Sequence, residues 1–161
     1  MTCPIFFLIR NEDWPYPIYA SDRLRDRKSV FLAHASTLPI SSAFPTFLNH
    51  LTSLPSLKRA THCMYAYRTS GPNGPISGQH DGAESGSGDR LSRLLESSGC
   101  VNVVVVVSRW YGGVKLGSDR WKRISDVAKE ALARGEFSNR NQPNNASTGI
   151  VRATKGRQRK K

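Results

Sequence analysis

The hydrophobic positions of this chain form short runs, and the most uniform is the five valines at 103–107. Because consecutive valines leave no face of a strand for water, this run predicts a strand that is covered on both sides. We place that strand at 101–108. Two other stretches, 27–35 and 61–69, are apolar with β-branched or aromatic residues and predict two more strands.

Three other segments have apolar residues at helical spacing. The first, at 43–51, has four apolar side chains on one helix face: Phe44, Phe47, Leu48 and Leu51. A second helix is expected from about Asp89 to Ser98, and a third over 118–134. Between the second strand and the second helix, residues 70–81 are rich in Gly and Pro and predict a mobile loop.

Positive charge is concentrated at the carboxyl-terminal end. The 161 residues carry a formal net charge of +12, and half of that excess lies in residues 135–161. The last residues are mostly Asn, Gln, Ser, Arg and Lys, which bury too little apolar surface to offset the entropy of ordering. We therefore divide the chain into an N-terminal arm (1–21), one folded domain (22–135) and a disordered basic tail (136–161).

This tail has two interpretations, which the sequence leaves open. Its lysines and arginines either contact RNA, a ribosome or another acidic surface, or they form a solvated segment or a degenerate nuclear signal.

The cysteines and the short apolar runs indicate the cellular compartment of the protein. Three cysteines without a Cys-x-x-Cys pair are expected to be reduced thiols of a cytoplasmic protein. No apolar run approaches the roughly 20 residues that span a bilayer. The apolar stretch at 4–9 is short and is followed by charged residues, which argues against a signal peptide. We expect a cytoplasmic protein without membrane contact.

The segment after the valine strand is the best candidate binding surface. Its candidate residues are Arg109, Trp110, Tyr111, Gly112, Gly113, Lys115, Gly117, Asp119 and Arg120. A strand, a glycine turn and a helix start bring free backbone N–H groups together with added positive charge, which suits a phosphate or an acidic side chain. In the alternative interpretation, the glycines only shape the turn, and Arg120 pairs with a local acid such as Asp119 or Asp89. The aromatic residues Trp110, Tyr111 and Trp121 either pack in the fold or stack on bases.

A second candidate site is an acidic, Gly- and Ser-rich loop before the second helix. Its residues are His80, Asp81, Glu84 and Asp89. These carboxylates could bind a divalent ion or supply a general base, or they could cap the helix that follows. The spacing matches no known metal loop, so we predict no metal, no cofactor and no catalytic residue.

Four sequence blocks stand in a recognisable order along the chain: Asp26–Ala33, Ala60–Arg68, His80–Leu91 with Ala83 as a one-residue insertion, and Asn102–Arg120. In this order they resemble the Impact family, also called UPF0029, which includes the bacterial YigZ-type proteins. The motif Ser-Arg-Trp-Tyr-Gly-Gly at 108–113 is similar to the eukaryotic form. The resemblance covers the predicted folded domain, 22–135.

This resemblance implies an α+β fold like the second domain of ribosomal protein S5, with a mixed sheet and two helices packed on one face. It also implies a non-enzymatic, cytoplasmic regulator of translation under stress. Eukaryotic members restrain the general-control eIF2α kinase by competing for its ribosome-associated activator, and they associate with actin.

The chain departs from the family pattern in two respects. Only about 21 residues precede the resemblance, which is too few for the RWD domain of full-length eukaryotic members. His80 stands where the family usually has Asp, so a cation held by paired carboxylates would lose one ligand.

The sequence is therefore compatible with three functions. The first is regulation by protein–protein contact through the segment 109–120, the second is a small RNA- or ribosome-binding module, and the third is a hydrolase or cation-dependent enzyme that uses His80, Asp81 and Glu84.

Overall fold

The valine run lies at the centre of a six-stranded sheet in a computed structural model that describes residues 14–138. The strands are β1 (Ile18–Ala20), β2 (Leu24–Asp26), β3 (Ser29–Thr37), β4 (His62–Thr69), β5 (Ile76–His80) and β6 (Val103–Trp110). The helices are α1 (Phe44–Ser53), α2 (Ser87–Ser97) and α3 (Asp119–Arg134), with 3-10 turns at Ser41–Ala43 and Pro55–Leu57. The strand order is β1-β3-β6-β4-β5, and β2 pairs with the other part of β3.

Both faces of the central strand are covered, as the valines predict. On one face, Val103, Val105 and Val107 pack in a core with residues of α2 and α3. On the other face, Val104 and Val106 pack with residues of α1 and the turn at 55–57. Burial of side chains on both sides accounts for the absence of a polar residue in β6 before Ser108.

The predicted α+β class, with two helices on one face of the sheet, is confirmed. The third helix, α1, covers the opposite face. Every strand pairing between residues 14 and 138 is antiparallel, so the parallel pairing that a mixed sheet would add does not occur there.

The prediction of a mobile loop over the whole of 70–81 is wrong, because Ile76–His80 forms the edge strand β5. It pairs with β4 from Tyr65 opposite His80 to Thr69 opposite Ile76. Its residues are mostly exposed, so it lacks the alternating apolar pattern by which a half-buried strand is detected. Gly78 leaves the space that the Tyr67 ring occupies, since a Cβ at Gly78 would lie 2.3 Å from that ring.

The described part of the predicted arm contributes to the sheet. The strand β1 pairs with β3, and Trp14 donates a hydrogen bond from its indole to Ser36 Oγ at 2.7 Å. Trp14 also packs against the Phe47 ring. Residues 1–13, and residues 139–161 of the predicted disordered tail, lie outside the described residues. Among residues 14–138, no helix is both long enough and apolar enough to cross a membrane.

Candidate functional site

The strand β6 carries a charged side chain at its end, and that side chain is almost fully buried. Arg109 is 4% exposed. Its Nη1 donates to Glu84 Oε2 at 2.5 Å and its Nη2 donates to Ser29 Oγ at 3.3 Å. The guanidinium also lies 5.2 Å from the Phe31 ring centre and 5.3 Å from that of Tyr111. A buried guanidinium needs such partners, because an unpaired charge in the interior is strongly destabilising.

Glu84 is the acid that joins the two candidate sites of the sequence. It is 5% exposed, and its Oε1 lies 3.0 Å from Nε of Arg120 at the start of α3. Its Oε2 also lies 3.7 Å from Nε2 of His62, in the first position of β4. One buried carboxylate therefore connects the acidic loop, the end of β6, the start of β4 and the start of α3.

The loop that positions Glu84 is held by a second carboxylate, Asp81. The Asp81 side chain accepts hydrogen bonds from the backbone N–H groups of Gly86 at 3.0 Å and Gly88 at 2.8 Å. These bonds hold the pKa of the Asp81 carboxyl below its ordinary value, since they favour the charged form. Asp81 therefore caps α2 from outside the helix, through the N–H of Gly86 just before the helix and the N–H of Gly88 in its first turn.

Glycines bring the loop and the turn close to neighbouring backbone. Gly82 has φ +57°, and a Cβ there would lie 2.1 Å from the carbonyl oxygen of Cys63. A Cβ at Gly112 would lie 1.9 Å from the carbonyl oxygen of Lys28. Gly113 has open space around it but takes φ +89°, a conformation that side chains disfavour. Each glycine is therefore required by local sterics.

These elements enclose a cavity of about 420 Å³ that opens to solvent. Its lining residues are His62, Ala83, Glu84, Arg109, Tyr111, Lys115, Leu116, Gly117 and Arg120. We call it the Arg109–Arg120 cavity. Three cationic side chains face one carboxylate there, which leaves two excess positive charges when histidine is counted as uncharged.

The predicted binding residues divide into those that line the cavity and those that do not. Five of them line it: Arg109, Tyr111, Lys115, Gly117 and Arg120. Trp110 packs against the core on the α1 face of the sheet and donates from its indole to the Lys58 carbonyl at 3.1 Å. Asp119 lies outside the cavity and pairs with Arg27.

The acidic-loop residues are also separated by the structure. Only Glu84 lines the cavity. His80 accepts a hydrogen bond from the Gly82 N–H and stacks on the Tyr65 ring. Asp89 forms an exposed ion pair with Arg93, at 2.9 Å. Arg120 pairs with an acid, as the alternative interpretation expects, but that acid is Glu84 and neither Asp119 nor Asp89.

Sequence reasoning missed two of the site's contacts. His62 lines the cavity because it lies opposite Arg109 in the β4–β6 register, and Ser29 reaches Arg109 from the first position of β3. Both contacts result from pairing between strands that are far apart in sequence, so no local sequence motif predicts them. Trp121, for which stacking on bases is the alternative, packs against the core, and the guanidinium carbons of Arg90 and Arg120 lie 4.4 Å and 4.5 Å from its ring centre.

The arrangement suits anion binding better than acid–base chemistry. The Asp81 oxygens accept backbone bonds, and those of Glu84 lie beside arginines. Burial raises the pKa of the neighbouring Cys63 thiol, which keeps it protonated and unreactive at neutral pH. No cluster of three or more His, Cys, Asp or Glu side chains that could hold a metal ion occurs within 14–138.

The chain matches a known family. The sequence profile of the family described as "Impact N-terminal domain" matches residues 27–132. Among curated proteins, the "Protein IMPACT homolog" of Schizosaccharomyces pombe is 39% identical over 127 residues, which are 77% of this chain and 45% of that protein. The human "Protein IMPACT" is 35% identical over 155 residues, which are 95% of this chain and 48% of that protein. The chain thus spans about half the length of these relatives.

Solved structures agree with this match. The two-domain translational regulator Yih1 is similar with a TM-score of 0.51 and 34% identity, over 73% of this chain and 46% of that one. A crystal structure described as that of a hypothetical protein is similar with a TM-score of 0.56 and 18% identity, over 72% of this chain and 58% of that one. The second likeness supports the fold alone.

Proposed function

The chain belongs to the Impact family, and on that premise we propose that it regulates translation under stress by contacting another protein. The contact restrains the general-control eIF2α kinase, because the chain competes for the ribosome-associated activator of that kinase. The similarity to Yih1, a translational regulator, supports the first part of this proposal. The protein acts in the cytoplasm and needs no catalytic group.

The observation that carries the proposal is the composition of the Arg109–Arg120 cavity and its rim. Arginine and tyrosine are enriched among the residues that dominate binding at protein interfaces. Here Arg109 and Arg120 are fixed by Glu84, while Tyr111, which lines the same cavity, and Val114, next to Lys115 in the chain, are exposed. Side chains that are already ordered before binding lose less entropy when a partner docks, which favours this surface as a protein contact.

A capture experiment tests this proposal. The full chain, its Arg120→Gln variant and its Lys122→Gln variant are expressed in amino-acid-starved cells, recovered, and probed for the kinase activator and for actin. Lys122 is a matched control because it is exposed on the same helix and does not line the cavity. We expect the activator with the full chain and with Lys122→Gln, and much less with Arg120→Gln.

The phosphorylation of eIF2α gives the functional measurement in the same cells. Expression of the full chain should lower it during starvation, and Arg120→Gln should lower it less. Failure to recover the activator, together with unchanged phosphorylation of eIF2α, would contradict the proposed function.

A further inference from the structure

We infer that the Arg109–Arg120 cavity binds a carboxylate side chain within an acidic segment of a partner protein. This inference rests on the proposed function and gives the chemistry of the group that the surface recognises. It concerns the group that binds in the cavity, where Glu84 is the carboxylate that the chain itself supplies.

The first argument is the unused hydrogen-bonding capacity of a buried arginine that lines the cavity. Arg109 is more than nine-tenths buried, yet its Nε has no hydrogen-bond acceptor among the described residues. Arg120 differs in this respect, because its Nε is already ion-paired with Glu84 Oε1 at 3.0 Å. Buried donors without acceptors are costly, and an oxygen ligand that enters the cavity would reduce that cost.

The second argument is excess positive charge from groups that are not neutralised. Lys115 lines the cavity and has no ion-pair partner among residues 14–138. The 16-residue helix α3 begins directly beside the cavity, but its first turn already carries Asp119, and backbone carbonyls accept from the N–H groups of Asp119 and Trp121. The charge that favours an anion at this position is therefore chiefly that of Lys115 and Arg120, with a smaller contribution from the helix dipole.

The third argument distinguishes a carboxylate from a phosphate group. The excess positive charge of the cavity attracts both anions, so the distinction lies in what surrounds the anion: free phosphate carries no apolar group, whereas a carboxylate side chain in a peptide has neighbouring residues. The exposed side chains of Tyr111 and Val114 lie in the same loop and offer apolar contact to residues that flank an acid in a peptide. An acidic segment that also carries an apolar residue fits this surface best.

The test uses two capped peptides, acetyl-Glu-Glu-Leu-Glu-Glu-amide and its analogue with Gln at every Glu position. Each is titrated into the full chain, and NMR follows the backbone amide signals at 109–120 and the Nε–Hε signal of Arg120. Lys115→Gln, Arg120→Gln and the matched control Lys122→Gln are titrated in parallel. Inorganic phosphate and a single-stranded RNA oligonucleotide serve as competing anions.

We expect the Glu peptide to shift the signals at the cavity and the Gln peptide to leave them unchanged. Lys115→Gln and Arg120→Gln should each weaken binding by at least about fivefold, since a hydrogen bond to a charged group is lost or a countercharge is removed. Lys122→Gln should bind like the unsubstituted chain. Because Lys115 is exposed, its variant tests the charge without disturbing the buried Glu84 pair.

Three results would overturn the inference: no shift at 109–120, equal weakening in Lys122→Gln, or displacement of the Glu peptide by phosphate or RNA at a lower concentration than the peptide itself. The outcome for the proposed function can be distinguished from the outcome for this inference. If the activator is not captured while the Glu peptide binds in the cavity, the recognition chemistry stands and the partner is a different acidic protein. If the activator is captured but the Glu peptide does not bind, the contact uses other chemistry.

Discussion

The carboxylate of Glu84 lies 2.5 Å from the guanidinium of Arg109, and both side chains are almost completely buried. The two residues are 25 positions apart in the chain and belong to segments that the sequence pattern treats as separate sites. Their pairing brings the acidic loop onto the end of the central strand and creates one cavity from two candidate surfaces.

Replacement of Glu84 by Gln should therefore destabilise the fold strongly. We expect Glu84→Gln to lower the free energy of unfolding by roughly 3 kcal/mol, because Arg109 would stay buried without a countercharge. Urea denaturation, with the midpoint and slope fitted together, measures the change.

The matched control for this experiment is Asp89→Asn in the adjoining helix. Its partner is Arg93 on the exposed surface, so the expected loss is below about 0.5 kcal/mol. Equal losses in the two variants would show that the buried pair contributes no more than a surface pair.

The Asp81 carboxylate should stabilise α2 only while it is charged. Its folded-state pKa is held low by the N–H groups of Gly86 and Gly88, so the unfolded chain binds the proton more readily and the stabilisation is lost as the pH falls through that pKa. Asp81→Asn should be less stable than the unsubstituted chain at pH 7, and the difference should shrink toward pH 3. Urea unfolding at a series of pH values measures it, and a difference that stays constant with pH would contradict the capping role.

His34 should make the fold sensitive to acid. It is buried on β3 near Arg23, and its pKa is lowered to about 4, chiefly by burial. The unfolded chain therefore binds a proton that the folded chain rejects between about pH 6.5 and 4, and stability falls over that range by up to roughly 3 kcal/mol. His34→Leu should remove this part of the pH dependence. If the free energies of unfolding of the two chains change by the same amount from pH 7 to pH 4, His34 does not cause the loss of stability in acid.

Gly112 and Gly117 should respond differently to alanine. A Cβ at Gly112 would overlap the carbonyl oxygen of Lys28, whereas Gly117 has open space and only an unfavourable φ of +57°. We expect Gly112→Ala to cost more than about 2 kcal/mol, because backbone must move. Gly117→Ala should cost about 1 kcal/mol for the left-handed conformation. Thermal unfolding ranks the two variants, and the reverse order would show that the turn at Gly112 has room to relax.

Local patterns predicted the elements whose burial is strong and regular. The uniform valines identified β6, and helical spacing identified α1 and α3 to within two residues at each end. The sequence did not reveal β5, because an exposed edge strand of Ile, Ser, Gly, Gln and His has no buried face to mark it. It placed the start of α2 two residues late, since the groups that cap this helix come from Asp81 across a loop.

The candidate site was predicted in its parts and not in its assembly. Arg109, Lys115 and Arg120 followed from charge near a glycine turn, and Glu84 followed from an acidic loop. Their contact depends on the pairing of β4 with β6 and on the path of the loop across it. Such long-range geometry has no local signature, so the sequence offered only neighbouring acids as partners for Arg120.

The five identical valines of β6 do not by themselves fix the register of this strand against its neighbours. If β6 moved by one residue against β3 and β4, most positions occupied by a valine would still be occupied by a valine. The packing of side chains on the two faces therefore discriminates only weakly between the two registers. The discrimination comes from the strand's two ends. Asn102 binds the backbone of Leu38 and Ser70 before β6 begins, and Arg109 meets Glu84 near its end. The pair that shapes the Arg109–Arg120 cavity thereby also favours one register of the sheet.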